Sequence, residues 1–472
     1  MERGVLSKSN TKVKKRASTR LKATRKECKM ASLESSPKLS VDLMALKKRK
    51  VGSRFKKDRR AATLRALPTC HGPFRVIGRE IISTPIREHV LEVHTDTGRA
   101  VEILNTYGKV AIKTHEKTNC LTEVKITSAE QWLKDGSVNL SGPLEGITIS
   151  LKDTIDVAGY DSLVEFSKFV GENIGDVKTE NGVAPYVKTN IPVTLLSFES
   201  SNDFWGRYIR FYNTKCTPNG STGSEGALLA FGGRIGIGSN FIGSVRCPAH
   251  YSGVYLLKCS TCRWMKLGAS TSMPGQDGIP SVYSPSARAL DDLTVLEMAE
   301  AAIRNAGHEM VEIIPPSPYE ALKLPSHFLC SDELKFVHSF PRRGETNGRG
   351  GDSLWSDFLY DWHAKVVYEY WQVIAKREAY KKRWVEWWED AKIDFIIAPP
   401  NALPDVPCNG MHDAASNGGY TFLLNLNADD MHGLSVGIQI VGRRLEEEKV
   451  LAAMKRVEDA LGDDKFKLLD FD

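Results

Sequence analysis

A chain of 472 residues, 41% hydrophobic and 26% charged, has the composition of a soluble globular protein with a sizeable core. Its longest apolar runs, such as Phe395–Pro399, are too short to span a bilayer, no apolar signal-like segment follows the start, and nine scattered cysteines point to free thiols in a reducing compartment rather than a disulfide framework. The net charge of +6 is unevenly placed: residues 1–66 carry 22 Lys+Arg against 5 Asp+Glu and the remainder 42 against 53, so the acidic body gives no reason to expect nucleic acid as its substrate.

Taken in order, residues 1–66 are rich in Lys, Arg and Ser and poor in aromatics, which predicts a disordered basic arm. Within it Lys47–Val51, followed by Arg54, Lys56, Lys57, Arg59 and Arg60, reads as a solvated charge run, or else as a nuclear import signal or phosphate-binding patch. Residues 67–472 form the expected folded domain. Ile82–Leu91 and Gly98–Ile112 read as helical or irregular, and Thr118–Glu123 as the edge of a core. Gly and Pro open the segment Gly142–Asp153, whose β-branched run Ile147–Leu151 predicts a strand with Lys152 at its C-terminal end. A second strand is expected at Tyr186–Lys188, before a Thr-Asn-Ile-Pro loop.

The densest stretch is Pro218–Gly253, with 9 glycines in 36 residues. Glycine at this density lets backbone N–H groups approach a ligand that a Cβ would block. Ser221, Ser224, Ser239 and Ser244 sit among these glycines, a pattern that suggests a nucleophile beside an oxyanion site. The apolar run Ala227–Phe231 between the glycines argues against a linker. No histidine stands near Ser221 or Ser244 in a triad pattern, so the base for a serine nucleophile is expected to be a lysine. Cys259 and Cys262 have zinc-like spacing, but no second pair completes a site.

Farther on, strands are expected at Val254–Leu257, His308–Ile314, Phe395–Ala398 and Ser435–Val441. Ser286–Asp292 is expected to cap a helix over Leu293–Asn305 that ends at Gly307. A long helix over Ser356–Asp390 would place Trp362, Val366, Val367, Tyr370, Trp371 and Ile374 at core spacing. Another over Glu446–Leu461 would put Val450, Leu451, Met454, Val457 and Leu461 on one face. Strands alternating with helices and no internal repeat predict an α/β fold.

From about Lys117 to the C-terminus the chain resembles the amidase signature family, most closely its fungal acetamidase-like branch, with fatty acid amide hydrolase a further relative. Gly142–Asp153, Tyr186–Pro192, Pro218–Gly253, Ser286–Leu293 and Val436–Glu448 carry the resemblance, in that order. It implies a mixed central β-sheet covered by helices on both faces. It also implies a Ser-Ser-Lys triad with Ser244 as nucleophile, Ser221 as bridge and Lys152 as base, and a cis peptide at Gly220–Ser221. Backbone N–H groups of Phe241, Ile242, Gly243 and Ser244 match the family's oxyanion hole, and Leu195 a substrate-contacting position. The implied activity is hydrolysis of a small or aliphatic carboxamide by a cytoplasmic protein, with neither cofactor nor metal and with a homodimer as a further expectation.

The chain departs from the family pattern at Asn219, Thr222 and Ser224 in the first glycine cluster, where a positive φ at Asn219 or Ser224 is expected to add strain, and at Asn240 and Ile242 in the second, where Asn240 replaces the family's aspartate and Ile242 is expected to distort the oxyanion hole. Internal segments also look shortened before Tyr186, after Asp292 and across Tyr420–Val436. The alternatives to an active amidase are therefore a catalytically impaired member of the same fold, or a nuclear or nucleic-acid-associated protein acting through residues 1–66.

Overall fold

A computed structural model describes principally residues 38–67, 74–140, 144–164, 182–261, 268–288, 311–329, 363–401 and 438–461, apart from single positions within them. The chain divides into two compact units, Met1–Arg54 and Phe55–Asp472. Helix α1 (Lys38–Arg65) begins in the first and ends in the second. The second unit therefore starts inside the stretch expected to be an arm. Its first residues are charged, but they have partners. Lys56, only 5% exposed, forms ion pairs with Glu123 and, at 2.6 Å, with Asp161. Arg60 donates to the Leu121 carbonyl at 2.6 Å and lies over the Trp205 ring at 4.2 Å. Composition alone reads these residues as solvated because their partners lie far along the chain.

Helices α2 (Val76–Ser83), α3 (Ile86–Thr95) and α4 (Gly98–Thr118) follow. In α4, Ala100, Ile103, Leu104, Tyr107, Val110 and Ala111 recur at helical spacing and are buried, so one face drives the helix into the core. The Asp96 carboxylate accepts from the Gly98 N–H at its start, and Asn119 in the left-handed region (φ 57°) ends it. Strand β1 (Leu121–Val124), helix α5 (Ile126–Lys134), and strands β2 (Thr148–Lys152) and β3 (Ala184–Thr189) come next. Then follow α6 (Gly223–Phe231), β4 (Ile235–Asn240), α7 (Arg246–Ser252), β5 (Val254–Leu256) and β6 (Val282–Arg288).

The strands form a six-stranded sheet in the order β1-β3-β2-β4-β6-β5. β2 runs parallel to both β3 and β4, whereas the β1–β3, β4–β6 and β6–β5 pairs are antiparallel. The sheet is thus mixed, as expected, and β1 forms one edge. β2 is buried throughout, and its alternation sorts its side chains by face. Ile149 and Leu151 pack with Val157, Trp132 and Ile237. Ser150 and Lys152 point the other way, toward α6. The main core joins α4, α5 and β1 to Tyr186 and Val187 of β3 and to Leu228 and Phe231 of α6.

Several local expectations change. Ser286–Arg288 finish strand β6 instead of capping a helix, and Leu293–Asn305 lies outside the described residues. Residues 311–315 take no strand conformation, and Val311 and Ile314 are exposed. The long helix α9 (Val367–Asp390), preceded by α8 (Pro318–Leu329), exposes Val366, Val367 and Trp371 and buries Val373, Tyr380 and Trp388 instead. Tyr380 decides that face by donating to the Pro316 carbonyl at 2.9 Å. Strands β7 (Ile396–Ala398) and β8 (Gln439–Val441) pair antiparallel in a separate ribbon. Helix α10 (Glu447–Leu461) buries Val457 but exposes Leu451. Among the described residues no helix is long and apolar enough to cross a membrane.

Candidate active site

The site lies where β2 and β4 end. Because these strands are parallel neighbours, both deliver their C-terminal residues to the same rim of the sheet. From β2 comes Lys152, whose side chain is wholly buried. Its Nζ lies 2.7 Å from Ser221 Oγ and 3.1 Å from the Ser239 carbonyl oxygen of β4. Burial pulls the Lys152 amine down to about 7, with the Glu225 carboxylate acting in the opposite direction. Near neutrality this lysine is therefore poised to accept a proton, as an ordinary surface lysine is not.

Ser221 sits in the tight segment before α6, and the Gly220–Ser221 peptide is cis. A Cβ at Gly220 would overlap the Ser197 carbonyl, so only glycine fits this crossing. Asn219 takes a positive φ of 63° and its Oδ1 accepts from the Gly220 N–H at 2.7 Å. Asn is the side chain that tolerates this conformation best after glycine, so its presence in the loop is compatible with the turn. Ser224, the other position where strain was expected, lies within α6.

The second glycine cluster is tied to the first by the Thr222 N–H, which donates to the Ser244 carbonyl at 2.9 Å. Asn240 organises the turn between β4 and Ser244. Its Oδ1 accepts from the N–H groups of Gly243 at 3.2 Å and Val245 at 3.4 Å. An amide oxygen thus supplies the acceptor for which the family's charged residue was expected. The Gly243 N–H, one of the expected oxyanion donors, is a group that Asn240 holds. Ile242 lies outside the described residues.

A cavity of about 240 Å³ opens above these groups and is lined by Ser221, Ser244, Leu195 and Phe241 together. Ser244 is half-buried on this cavity. Leu195 reaches the wall from a turn with φ 64°. The lining mixes polar groups, among them Thr154, Ser270, Ser272 and Gln276, with apolar Met273, Ile279 and Val282.

A carboxyl that sequence reasoning did not single out completes the site. Glu225, fully buried in the first turn of α6, accepts from Thr189 Oγ1 at 2.9 Å and from Ser150 Oγ. Burial raises its carboxyl to about 7, against the pull of those two hydroxyls and of Lys152. Its place in the Ser-Glu-Gly run was the available signal, but its partners lie on two other segments. Next to Lys152, Asp153 accepts from Thr122 Oγ1 at 2.8 Å and from the Leu163 N–H at 3.1 Å, and pairs with Lys188 at 3.5 Å. Among the described residues no cluster of His, Cys, Asp or Glu could hold a metal ion, and Cys262 lies outside them.

A family model described as Amidase matches residues 102–296. The curated protein Amidase 1 of Gibberella moniliformis is 28% identical over 86% of this chain and 98% of its own length. The chain resembles the amidase family over residues 102–296. Acetamidase of Emericella nidulans is 24% identical over 77% of this chain and 86% of its own length. Among solved structures, fatty acid amide hydrolase superposes with a TM-score of 0.68 at 20% identity, over 83% of this chain and 87% of that one, a likeness that speaks for the fold. The alignment with Amidase 1 spans 524 positions, more than the 472 residues of this chain, so that relative carries residues this chain lacks. These likenesses mark the chain as an amide hydrolase.

Proposed function

We propose that this hydrolase cleaves a small carboxamide by Ser-Ser-Lys acyl transfer, with Ser244 as nucleophile, Ser221 as proton bridge and Lys152 as base. The observation that carries this reading is the buried Lys152 amine 2.7 Å from Ser221 Oγ, with Ser244 on the same cavity. An amide carbon is a poor electrophile, so attack needs an activated oxygen. Neutral Lys152 takes the Ser221 proton while Ser221 takes that of Ser244. The Ser244 oxygen then bonds to the amide carbon, and the carbonyl electrons move onto oxygen. N–H groups of the loop Phe241–Ser244 other than that of Gly243 receive this oxyanion, each such donor contributing about 3–4 kcal/mol where measured in other hydrolases. Ser221 returns the proton to nitrogen, the C–N bond breaks, and the amine or ammonia leaves. Water attacks the acyl-enzyme through the same relay and releases a carboxylate. A bridge between Ser244 and Ser221 that closes only with substrate bound is ordinary for such sites.

The cavity volume favours a short acyl group over a long one, and its mixed polar and apolar lining suits a small amide. The altered glycine loops do not by themselves favour an inactive member, because Asn240 keeps the acceptor the turn needs. The reading is tested by intact-mass measurement after exposure to a small fluorophosphonate. The wild type gains one adduct, whereas Ser244→Ala gains none. Efficient labelling of Ser244→Ala overturns the assignment.

A further inference from the structure

We propose that Glu225 is a positioning residue of this site, a buried carboxylate that ties β2 to β3 around Lys152 and sets the pH at which the lysine can act as a base. The proposal rests on the Ser-Ser-Lys reading. Its geometry comes from three strands. Ser150, which donates to Glu225 Oε1, lies two residues before Lys152 on the same face of β2. Thr189, which donates to Oε2 at 2.9 Å, is the register partner of Lys152 on β3. On β4, Gly236 is the register partner of Ser150, and a Cβ there would overlap Glu225 Oε1. The sheet thus leaves a recess that this carboxylate fills. The helix that carries Glu225 begins just after Ser221, so one short segment holds both the bridge serine, bonded to Lys152, and a carboxylate whose charge acts on the same lysine.

The charged and titratable groups that face Glu225 are Lys152 on β2, Tyr186 on β3 and Cys120 just before β1. β4 contributes only Gly236, and α7 brings Pro248 and Ser252 against neighbouring Gly226 without a charge. Burial holds the proton on Tyr186 well above neutral pH and pushes Cys120 up to about 12. Lys152 is therefore the facing group whose charge changes near neutrality. Two groups that titrate in one window and interact do so as a pair. The sign is fixed: an anionic Glu225 stabilises the protonated lysine, so removing its charge frees the base at lower pH.

The test is the pH dependence of the labelling rate by a small fluorophosphonate, or of kcat/KM on a short amide, for the wild type, Glu225→Gln and Thr189→Val. Gln keeps the shape of Glu225 and loses its charge. The expected result is an acid limb displaced to lower pH by about 0.5–1 unit in Glu225→Gln. Thr189→Val removes one donor that favours the carboxylate, so its limb moves the same way by less. That second variant decides the matter should Glu225→Gln not fold. A merely structural role lowers the rate equally at every pH, and an unmoved limb in the folded variants, or one displaced upward, overturns the proposal. Labelling of Ser244→Ala would instead defeat the underlying reading, so the two failures are distinct.

Discussion

Asn240 carries a lesson about single residues. It stands where the family pattern has a carboxylate, yet what the turn uses is an oxygen that accepts from Gly243 and Val245. Asn240→Asp should therefore leave the fluorophosphonate labelling rate within about threefold of wild type, whereas Asn240→Leu leaves two buried N–H groups without an acceptor. At about 1–3 kcal/mol per orphaned group, the labelling rate of Asn240→Leu should fall at least about tenfold. Equal rates for the two variants would show that the acceptor does not shape the loop. At this scale the sequence was legible where a motif holds the residue and its neighbours together. Lys152 and Ser221 could be named from their motifs, and the structure brings them within hydrogen-bond reach. Glu225 sat in the same motif as Ser221, but its importance depends on Ser150 and Thr189, and no local pattern announces a contact across so many residues.

At the scale of elements, strands with β-branched residues were readable and the faces of surface helices were not. β2, β3 and β7 fall where their apolar runs predict them. β6 was missed because Ser284, Pro285 and Ser286 interrupt any hydrophobic alternation; it is defined by its ladder to β4, in which Pro285 faces Ile237. On α9 the aromatic periodicity held for Tyr370, which packs against Phe328, but misplaced Val367 and Trp371, since tertiary partners such as Pro316 choose among several apolar stripes. The C-terminal turns of α1 are the clearest case of charge misread as solvation. Lys56 neutralises Glu123 and Asp161 in a dry setting, and the two carboxylates together outweigh the burial that would otherwise lower its amine. Lys56→Met should leave both carboxylates buried without their cation and lower stability by about 3–5 kcal/mol in urea unfolding. A loss below about 1 kcal/mol would place this pair with exposed ones.

For the whole molecule, the position of the first fold boundary has a direct consequence. A chain begun at Lys38 keeps all of α1 and the compact unit Phe55–Asp472, and should unfold at the wild-type midpoint. A chain begun at Leu67 lacks Lys56 and Arg60, and should lose at least as much stability as Lys56→Met. Identical midpoints would mean that α1 adds nothing to the body. The mixed sheet itself has another implication. Lys152 arrives on β2, whereas Ser221 and Ser244 flank a helix and strand far along the chain, and only the parallel pairing of β2 with β4 brings the three to one rim. Such nonlocal pairing forms late and all at once. On the acyl-transfer reading, Ser244 is an ordinary, unreactive hydroxyl in any chain whose sheet has not closed. A reagent that modifies it then counts native molecules in a preparation and passes over misfolded ones of identical mass and sequence.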